Sequence, residues 1–233
     1  HDNRTAECLA ELARTAREKV YGKDVFIRGL IEISNYCKND CFYCGIRRSN
    51  KFCERYRLSR EEILSCCKEG YALGFRTFVL QGGEDGTHSD AWLEEVICRI
   101  RSNYPDVAIT LSLGERSEES YARLRRAGAN RYLLRHESAD SELYASLHPA
   151  SRGLEHRLAC IEALKRCGYQ VGMGMMIGVK GQRIDHIVKD ILLMSEYDCE
   201  MVGIGPFIPH GATPLGSEPA GDIRLTLATV AIM

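Results

Sequence analysis

Cys37, Cys41 and Cys44 stand at the spacing C-x3-C-x2-C in the stretch Ser34 to Gly45, directly after the apolar run Phe26 to Ile33. A closed structural zinc site wants four protein ligands and usually shows two paired half-sites. No fourth cysteine or histidine completes the local pattern here. Three thiolates on a cubane 4Fe–4S cluster leave one iron without a protein ligand, free to take a small molecule. The spacing therefore reads as a catalytic cluster loop. A zinc site completed by a distant ligand such as Cys53, or a set of unrelated buried thiols, is the competing reading.

Further reactive side chains fall at the ends of predicted strands. Phe26–Ile33 is a first strand leading into the cysteines, and Thr77–Gln81 a second, leaving through Gly82-Gly83-Glu84-Asp85-Gly86. Val107–Leu113 exits at Gly114-Glu115, Arg131–Arg135 at His136-Glu137, and Gln170–Ile177 through Gly178 to Gly181. Met201–Ile208 is a sixth strand, ending near His210. Helices separate the strands. Ser59-Arg60-Glu61-Glu62 is a capping box that opens one of them, Ser117 caps another, and Pro105 stops a third. Further helical stretches are Ala91–Tyr104, Asp140–Leu147, Leu154–Cys167 and Arg183–Tyr197, with a last one from about Ile223. An N-terminal helix over about residues 3–20 carries Leu9, Leu12, Ala13, Ala16 and Val20 at helical spacing.

Strands alternating with helices imply a parallel α/β fold with right-handed crossovers, and in such folds the strand exits share one functional face. No linker marks a second domain, so residues 1–233 are expected to form one core domain, with a barrel-like part over about 25–233. A standard closed barrel takes eight units in roughly 250 residues. Six units in 233 residues, no initiating methionine and a stop in mid-helix at Met233 point to a fragment or an opened barrel.

Strand parity adds a charge pattern. Arg131, Leu133, Arg135 and Glu137 share one face of their strand, as do Arg28, Leu30 and Glu32 of theirs. Turned inward, Arg28, Arg131 and Arg135 would give a cationic interior suited to carboxylate or other anionic ligands. A structural ion pair such as Arg135 with Glu137 is the alternative.

Composition bounds the rest. The hydrophobic share is 45% and the charged share 27%, as in ordinary globular proteins. A net charge of -1 gives no basic field for nucleic acid, and no apolar run is long enough to span a bilayer. The polar start from His1 to Arg17 is no signal peptide. An odd count of 11 cysteines in a chain this long fits a reducing cytoplasm better than a disulfide framework.

The cysteine motif, with Tyr43 before its third cysteine, resembles that of the radical S-adenosylmethionine (SAM) enzymes. Segments Arg28 to Glu32, Leu80 to Asp85, Leu111 to Glu115, Arg131 to Glu137 and Val202 to His210 are similar to those of the HydE group. These are maturases of FeFe-hydrogenase related to biotin synthase and methylornithine synthase. The resemblance implies a radical SAM TIM-type (β/α) barrel, here about six β/α units with the C-terminal strands missing. It implies a 4Fe–4S cluster on Cys37, Cys41 and Cys44, with the amino and carboxylate groups of SAM on the fourth iron. Tyr43 would lie near the adenine. Gly82, Gly83 and Glu84, with Gln81 before them, match the Gly-Gly-Glu element near the methionine amino group. Arg135, Glu137 and Arg157 match SAM-binding positions, and Thr110 and Ser112 would line the same cavity. Ile204 to Ile208 would flank the nucleoside. Arg28, Arg131 and Met201 would line the substrate end.

The implied partners are a small-molecule or iron-complex substrate, an electron donor of the reduced ferredoxin or flavodoxin type, and other hydrogenase maturases. Lys180 departs from the family, where proline is common. Relatives also place substrate and nucleoside contacts on strands beyond the sixth. A radical SAM enzyme with an organic substrate, or a metal-binding scaffold without activity, is the remaining alternative.

Overall fold

A computed structural model describes residues 3–233. Its elements run α1 (Asn3–Tyr21), β1 (Gly29–Ser34), α2 (Arg60–Ala72), β2 (Thr77–Gly82), α3 (Asp90–Asn103), β3 (Ala108–Ser112) and α4 (Glu118–Ala127). They continue with β4 (Arg131–Leu133), α5 (Ser141–Leu147), α6 (Leu154–Arg166), β5 (Gln170–Ile177), α7 (Ile184–Glu196), β6 (Met201–Pro206) and α8 (Ile223–Ile232). The strands form one parallel sheet in the order β1-β2-β3-β4-β5-β6. The sheet curves as part of a barrel and stays unclosed, with β1 and β6 at its two edges. No helix among the described residues is long and apolar enough to cross a membrane.

Local sequence signals account for most boundaries. The Ser59 hydroxyl accepts the N–H of Glu62 and the Glu62 carboxylate accepts the N–H of Ser59, the reciprocal box that starts α2. Ser89, Ser117 and Asp140 cap α3, α4 and α5 by the same side-chain-to-backbone bond. Three expected strand bounds move by two residues or more, the end of β6 among them, at Pro206 rather than Ile208. Val25, Phe26 and Ile27 are 75%, 68% and 70% exposed and precede the first strand, which begins at Gly29. Their apolar run has no neighbouring strand to pair with. β4 is only three residues long. Beyond it the chain keeps touching β5 through Leu134 N–H to Gly172 O and Glu137 N–H to Gly174 O.

The two sheet faces differ. Ile31, Ile33, Phe78, Leu80, Ile109, Leu111, Tyr132, Val171, Met173 and Met175 are buried under the helices. Burial of this kind is worth about 25 cal/mol per Å² of apolar surface, so this layer carries the fold. The alternate residues face the inside of the curve, among them Leu30, Glu32, Gln81, Thr110, Ser112, Arg131 and Arg135. Edge-to-face packing of Tyr121, Tyr132 and Tyr169 ties α4 to β4 and the turn before β5. The Tyr132 hydroxyl donates to Gly114 O at 2.8 Å, which fixes the exit of β3.

Candidate active site

The cysteine loop is stiffened from below. Arg55 donates to the carbonyls of Asn35, Ile46, Arg47 and Asn50. Asp40 accepts from Arg47 Nε at 2.8 Å and from the Ser49 hydroxyl at 2.6 Å. The Arg47 bond is the main reason the Asp40 carboxyl sits far below the usual carboxylate range. Phe42 N–H donates to Leu147 O, and Leu215 N–H donates to Phe42 O. A loop held at this many points can present three thiols in fixed directions.

Cys37, Cys41 and Cys44 lie near enough to influence one another's thiols. Burial pushes the Cys41 thiol up to about 12, and Cys44 and Cys37 add to the rise. Cys44 is raised for the same reasons, burial first and then Cys37. Metal binding must displace those protons, which couples loading to pH. Among the described residues, no three His, Cys, Asp or Glu side chains converge as ligands of one metal ion do. Cys53 instead contacts Asn35 Nδ2 and Glu54 O. Three neighbouring thiols are the donor set that a 4Fe–4S cluster takes, whereas a closed zinc site wants a fourth protein ligand.

The glycine loop after β2 packs directly on the cysteine loop. A Cβ on Gly83 would lie 2.3 Å from Tyr36 O and 2.6 Å from Cys37 Cβ, so only glycine fits. A Cβ on Gly82 would come within 3.1 Å of Ser34 O. Asp85 anchors this loop through Arg57, at 2.6 and 3.0 Å, and through the Ser34 hydroxyl at 2.7 Å. Burial would raise the Asp85 carboxyl, but these bonds hold it well below its ordinary range.

Glu84 leads into an ion network that residue types alone do not disclose. Arg152, between α5 and α6, spans Glu84 and Glu115 with its two terminal nitrogens. Lys38 Nζ lies 3.3 Å from Glu84, and Arg157 Nε lies 2.7 Å from Glu115. Arg157 also donates to Arg135 O at 3.2 Å. The exits of β2, β3 and β4 are thus joined by two arginines from helix ends. A buried charge needs such partners. Arg152 and Lys38 carry no motif of their own. Pro149-Ala150-Ser151-Arg152-Gly153 reads as an ordinary polar turn.

On the inner face, three buried polar atoms have no hydrogen-bond partner: Thr110 Oγ1, Arg135 Nε and Glu137 Oε2. Native chains rarely leave such atoms unmet, and clusters of them mark places where something polar binds. Arg135 Nε stands 3.6 Å from Glu137 Oε1, too loose to satisfy either group. Glu137 also has φ 65, the left-handed region. For a residue with a side chain that conformation costs roughly 1–2 kcal/mol.

Tyr43 is held from the side. Its hydroxyl lies 3.2 Å from His148 Nε2, whose Nδ1 donates to Tyr144 O at 2.9 Å. That tautomer makes Nε2 the acceptor. Burial lowers His148 to about 4, keeping it neutral, and pushes the Tyr43 phenol well above its ordinary value.

The remaining expected residues divide. Ser112 and Gln81 are register partners on the inner face, and Gln81 donates to Glu32 at 3.2 Å. Ile204 lies in β6. Its side chain packs on the sheet–helix core, while Gly203 beside it faces Leu133 and Arg135. Strand alternation sends it outward, so only its backbone is offered to the interior. Arg28, Arg131 and Met201 come together at the opposite ends of the strands, around a cavity of about 640 Å³ shared with Arg17, Tyr21 and Gln170. Arg131 pairs with Gln170 and Glu137 bridges to Met175, five residues further along. That separates the two groups by about 16 Å.

The sequence model of the radical SAM superfamily matches residues 31–194. The chain belongs to the radical SAM superfamily. The match runs from β1 through α7 and contains the cysteine loop. Radical SAM proteins use a 4Fe–4S cluster and SAM in general, and the donor set described above suits both. Among curated relatives, the chain is 46% identical over 226 residues to the FeFe hydrogenase maturase subunit HydE of Thermotoga maritima. It is 34% identical over 230 residues to the 3-methylornithine synthase of Methanosarcina acetivorans. Each match covers 97% of this chain and 64% of the relative, so the chain spans less than two thirds of their length. The crystal structure of a methylornithine synthase superposes with a TM-score of 0.92 at 28% identity, over 100% of this chain and 68% of that one. That of the maturase HydG gives 0.84 at 21% identity, over 100% and 55%, a likeness of fold.

Proposed function

We propose that this chain carries the SAM-cleaving site of a HydE-type maturase that acts in assembly of the FeFe-hydrogenase di-iron centre. The observation that carries the reading is the placing of three neighbouring thiols beside a set of unmet buried polar atoms, at one end of one sheet. Cys37, Cys41 and Cys44 would hold the cluster. When bound, a 4Fe–4S cluster supplies one electron to the SAM sulfonium, whose carbon–sulfur bond breaks to give methionine and a 5′-deoxyadenosyl radical.

The protein's own residues orient and enclose. Arg135, Glu137 and Arg157 would bind the charged groups of SAM, and Thr110 and Ser112 would line its cavity. The close approach of Gly82 and Gly83 to the cysteine loop would seat the methionine end of SAM against that loop. Tyr43, fixed by His148, would close the adenine side. Arg28, Arg131 and Met201 would bind an anionic or iron-bound substrate at the far end of the same interior. The electron would come from a reduced ferredoxin- or flavodoxin-type protein.

Identity of 46% to a HydE favours the maturase reading. The 0.92 superposition on methylornithine synthase favours an organic substrate as the second reading. Anaerobic reconstitution followed by dithionite and SAM tests the chemistry. Four irons per chain and release of 5′-deoxyadenosine are expected, and one zinc without iron would overturn it. A cell-free maturation mixture lacking HydE separates the substrates. Restored hydrogenase activity supports the maturase, and none with an active SAM-cleaving protein supports the organic substrate.

A further inference from the structure

Asp190 is a carboxylate placed in the dry layer between sheet and helices. It lies on α7 with its side chain 0% exposed. A charge there is costly unless it is well bonded, and an apolar residue would pack the layer without that cost. The partners of Asp190 are concentrated on one short segment. Its Oδ1 accepts from His136 Nε2 at 3.2 Å and from the backbone N–H of Ala139. His136 is itself fully buried, and its Nδ1 accepts the N–H of Gly174 at 3.4 Å. That bond leaves the ring proton on Nε2, pointing at the carboxylate.

These bonds fall on either side of Glu137. Its own N–H donates to Gly174 O at 3.0 Å. The residue before it is tied to Asp190 and Gly174, and the residue two after it is tied to Asp190. Between them sits a glutamate with φ 65. The exit of β3 makes the useful contrast. There the left-handed position is Gly114, φ 73, which adopts it without steric cost. At the exit of β4 the position carries a side chain, and the clamp is present. Glu137 in that conformation is near Arg135 and close enough to Tyr43 and Cys44 to raise both.

We propose that Asp190 and His136 are positioning residues for Glu137. They hold its backbone in the left-handed conformation that turns the carboxylate inward, and so set the affinity for SAM. This rests on the reading of Glu137 as a SAM contact.

The test is a double-mutant cycle read by calorimetric titration of SAM into reconstituted protein. Asp190→Asn keeps the shape and removes the charge. It should weaken SAM binding about tenfold at unchanged iron content. In the Glu137→Gln background it should add nothing, because both changes act through one carboxylate. In cluster-free protein, amide exchange at Glu137 and Ala139 should speed up in Asp190→Asn, while Met173 and Met175 in β5 keep parent-like protection. Parent-like SAM affinity in Asp190→Asn, or losses that add in the double variant, would overturn the proposal. A parent that binds no SAM would overturn the reading of Glu137 instead, and the cluster-free exchange would still decide whether the clamp exists. If Asp190→Asn does not fold, His136→Gln, which can keep an N–H for Asp190 but loses the Nδ1 acceptor that Gly174 uses, carries the same cycle with the same two outcomes.

Discussion

At the carboxyl ends of the strands, charged side chains are buried and joined. Glu84, Glu115, Arg152 and Arg157 form one network, the cysteine loop is held by several bonds, the Gly82-Gly83 turn packs tightly on it, and Tyr43 is bonded to His148. At the amino ends, Arg28 is exposed, Arg131 has a single bond to Gln170, and a cavity of about 640 Å³ opens among them. One end is preorganised and the other is open. Preorganised groups can orient a reacting cofactor with little rearrangement, whereas an open cavity lined by three arginines with Asp24 and Glu200 can admit ligands of several shapes. Substitutions at the two ends should therefore fail in different ways.

The largest effect is expected at the cysteines. Cys37→Ala, Cys41→Ala or Cys44→Ala should each lose the intact cluster and all 5′-deoxyadenosine release, since each removes one of three ligands. Cys53→Ala should keep parent iron content, measured by iron and sulfide assay. Iron loss in Cys53→Ala alone would reverse the ligand assignment.

Next comes the network. Arg152→Ala strips a partner from two buried carboxylates and should cost about 3–5 kcal/mol of stability. A denaturant midpoint unchanged from the parent would show that Lys38 and Arg157 suffice.

His148 gives a pH test of the same end. Its folded value is lowered by burial to about 4, below the unfolded value of 6.5. The unfolded chain therefore binds the proton first as pH falls. The contribution to stability is whole above 6.5 and is lost as pH falls toward 4, up to roughly 3 kcal/mol. His148→Gln should flatten the dependence in that window, and an unchanged pH profile would place the sensitivity elsewhere.

Glu137→Gln removes a charged acceptor and should weaken SAM binding by about 1.5–3 kcal/mol while sparing the cluster. Equal SAM affinity in parent and variant would leave Glu137 a partner of Arg135 alone.

The smallest effect belongs to the open end. Arg131→Met should change stability by no more than about 0.5 kcal/mol and leave iron content and SAM affinity at parent levels. Its consequence should appear in consumption of substrate relative to 5′-deoxyadenosine formed. A loss of SAM affinity equal to that of Glu137→Gln would erase the distinction between the two ends.

Much of this arrangement was legible in the chain because it is local. The C-x3-C-x2-C spacing, the capping box at Ser59 and the glycines after β2 each act within a few residues, so their chemistry can be read from order alone. Strand alternation correctly put Arg131, Arg135 and Glu137 on one face. One local reading failed for want of a partner. The run Phe26–Ile33 looked like a whole strand, but pairing starts only at Gly29, because β2 begins at Thr77 and offers nothing earlier. At Ile204, register with β5 turns the side chain to the helices, a placement that depends on the neighbouring strand.

What the sequence by itself determined was the order of strands and helices, and the end of the sheet where the three cysteines and the charged side chains collect. Only the tertiary structure decided that Arg152 joins Glu84 to Glu115, that His148 fixes Tyr43, and that Asp190 clamps the segment carrying Glu137. Those partners lie 37, 68, 105, 54 and 51 residues apart. Spacing and periodicity act over a few residues, whereas ion pairs and buried hydrogen bonds depend on which distant elements the sheet brings within about 3 Å of one another.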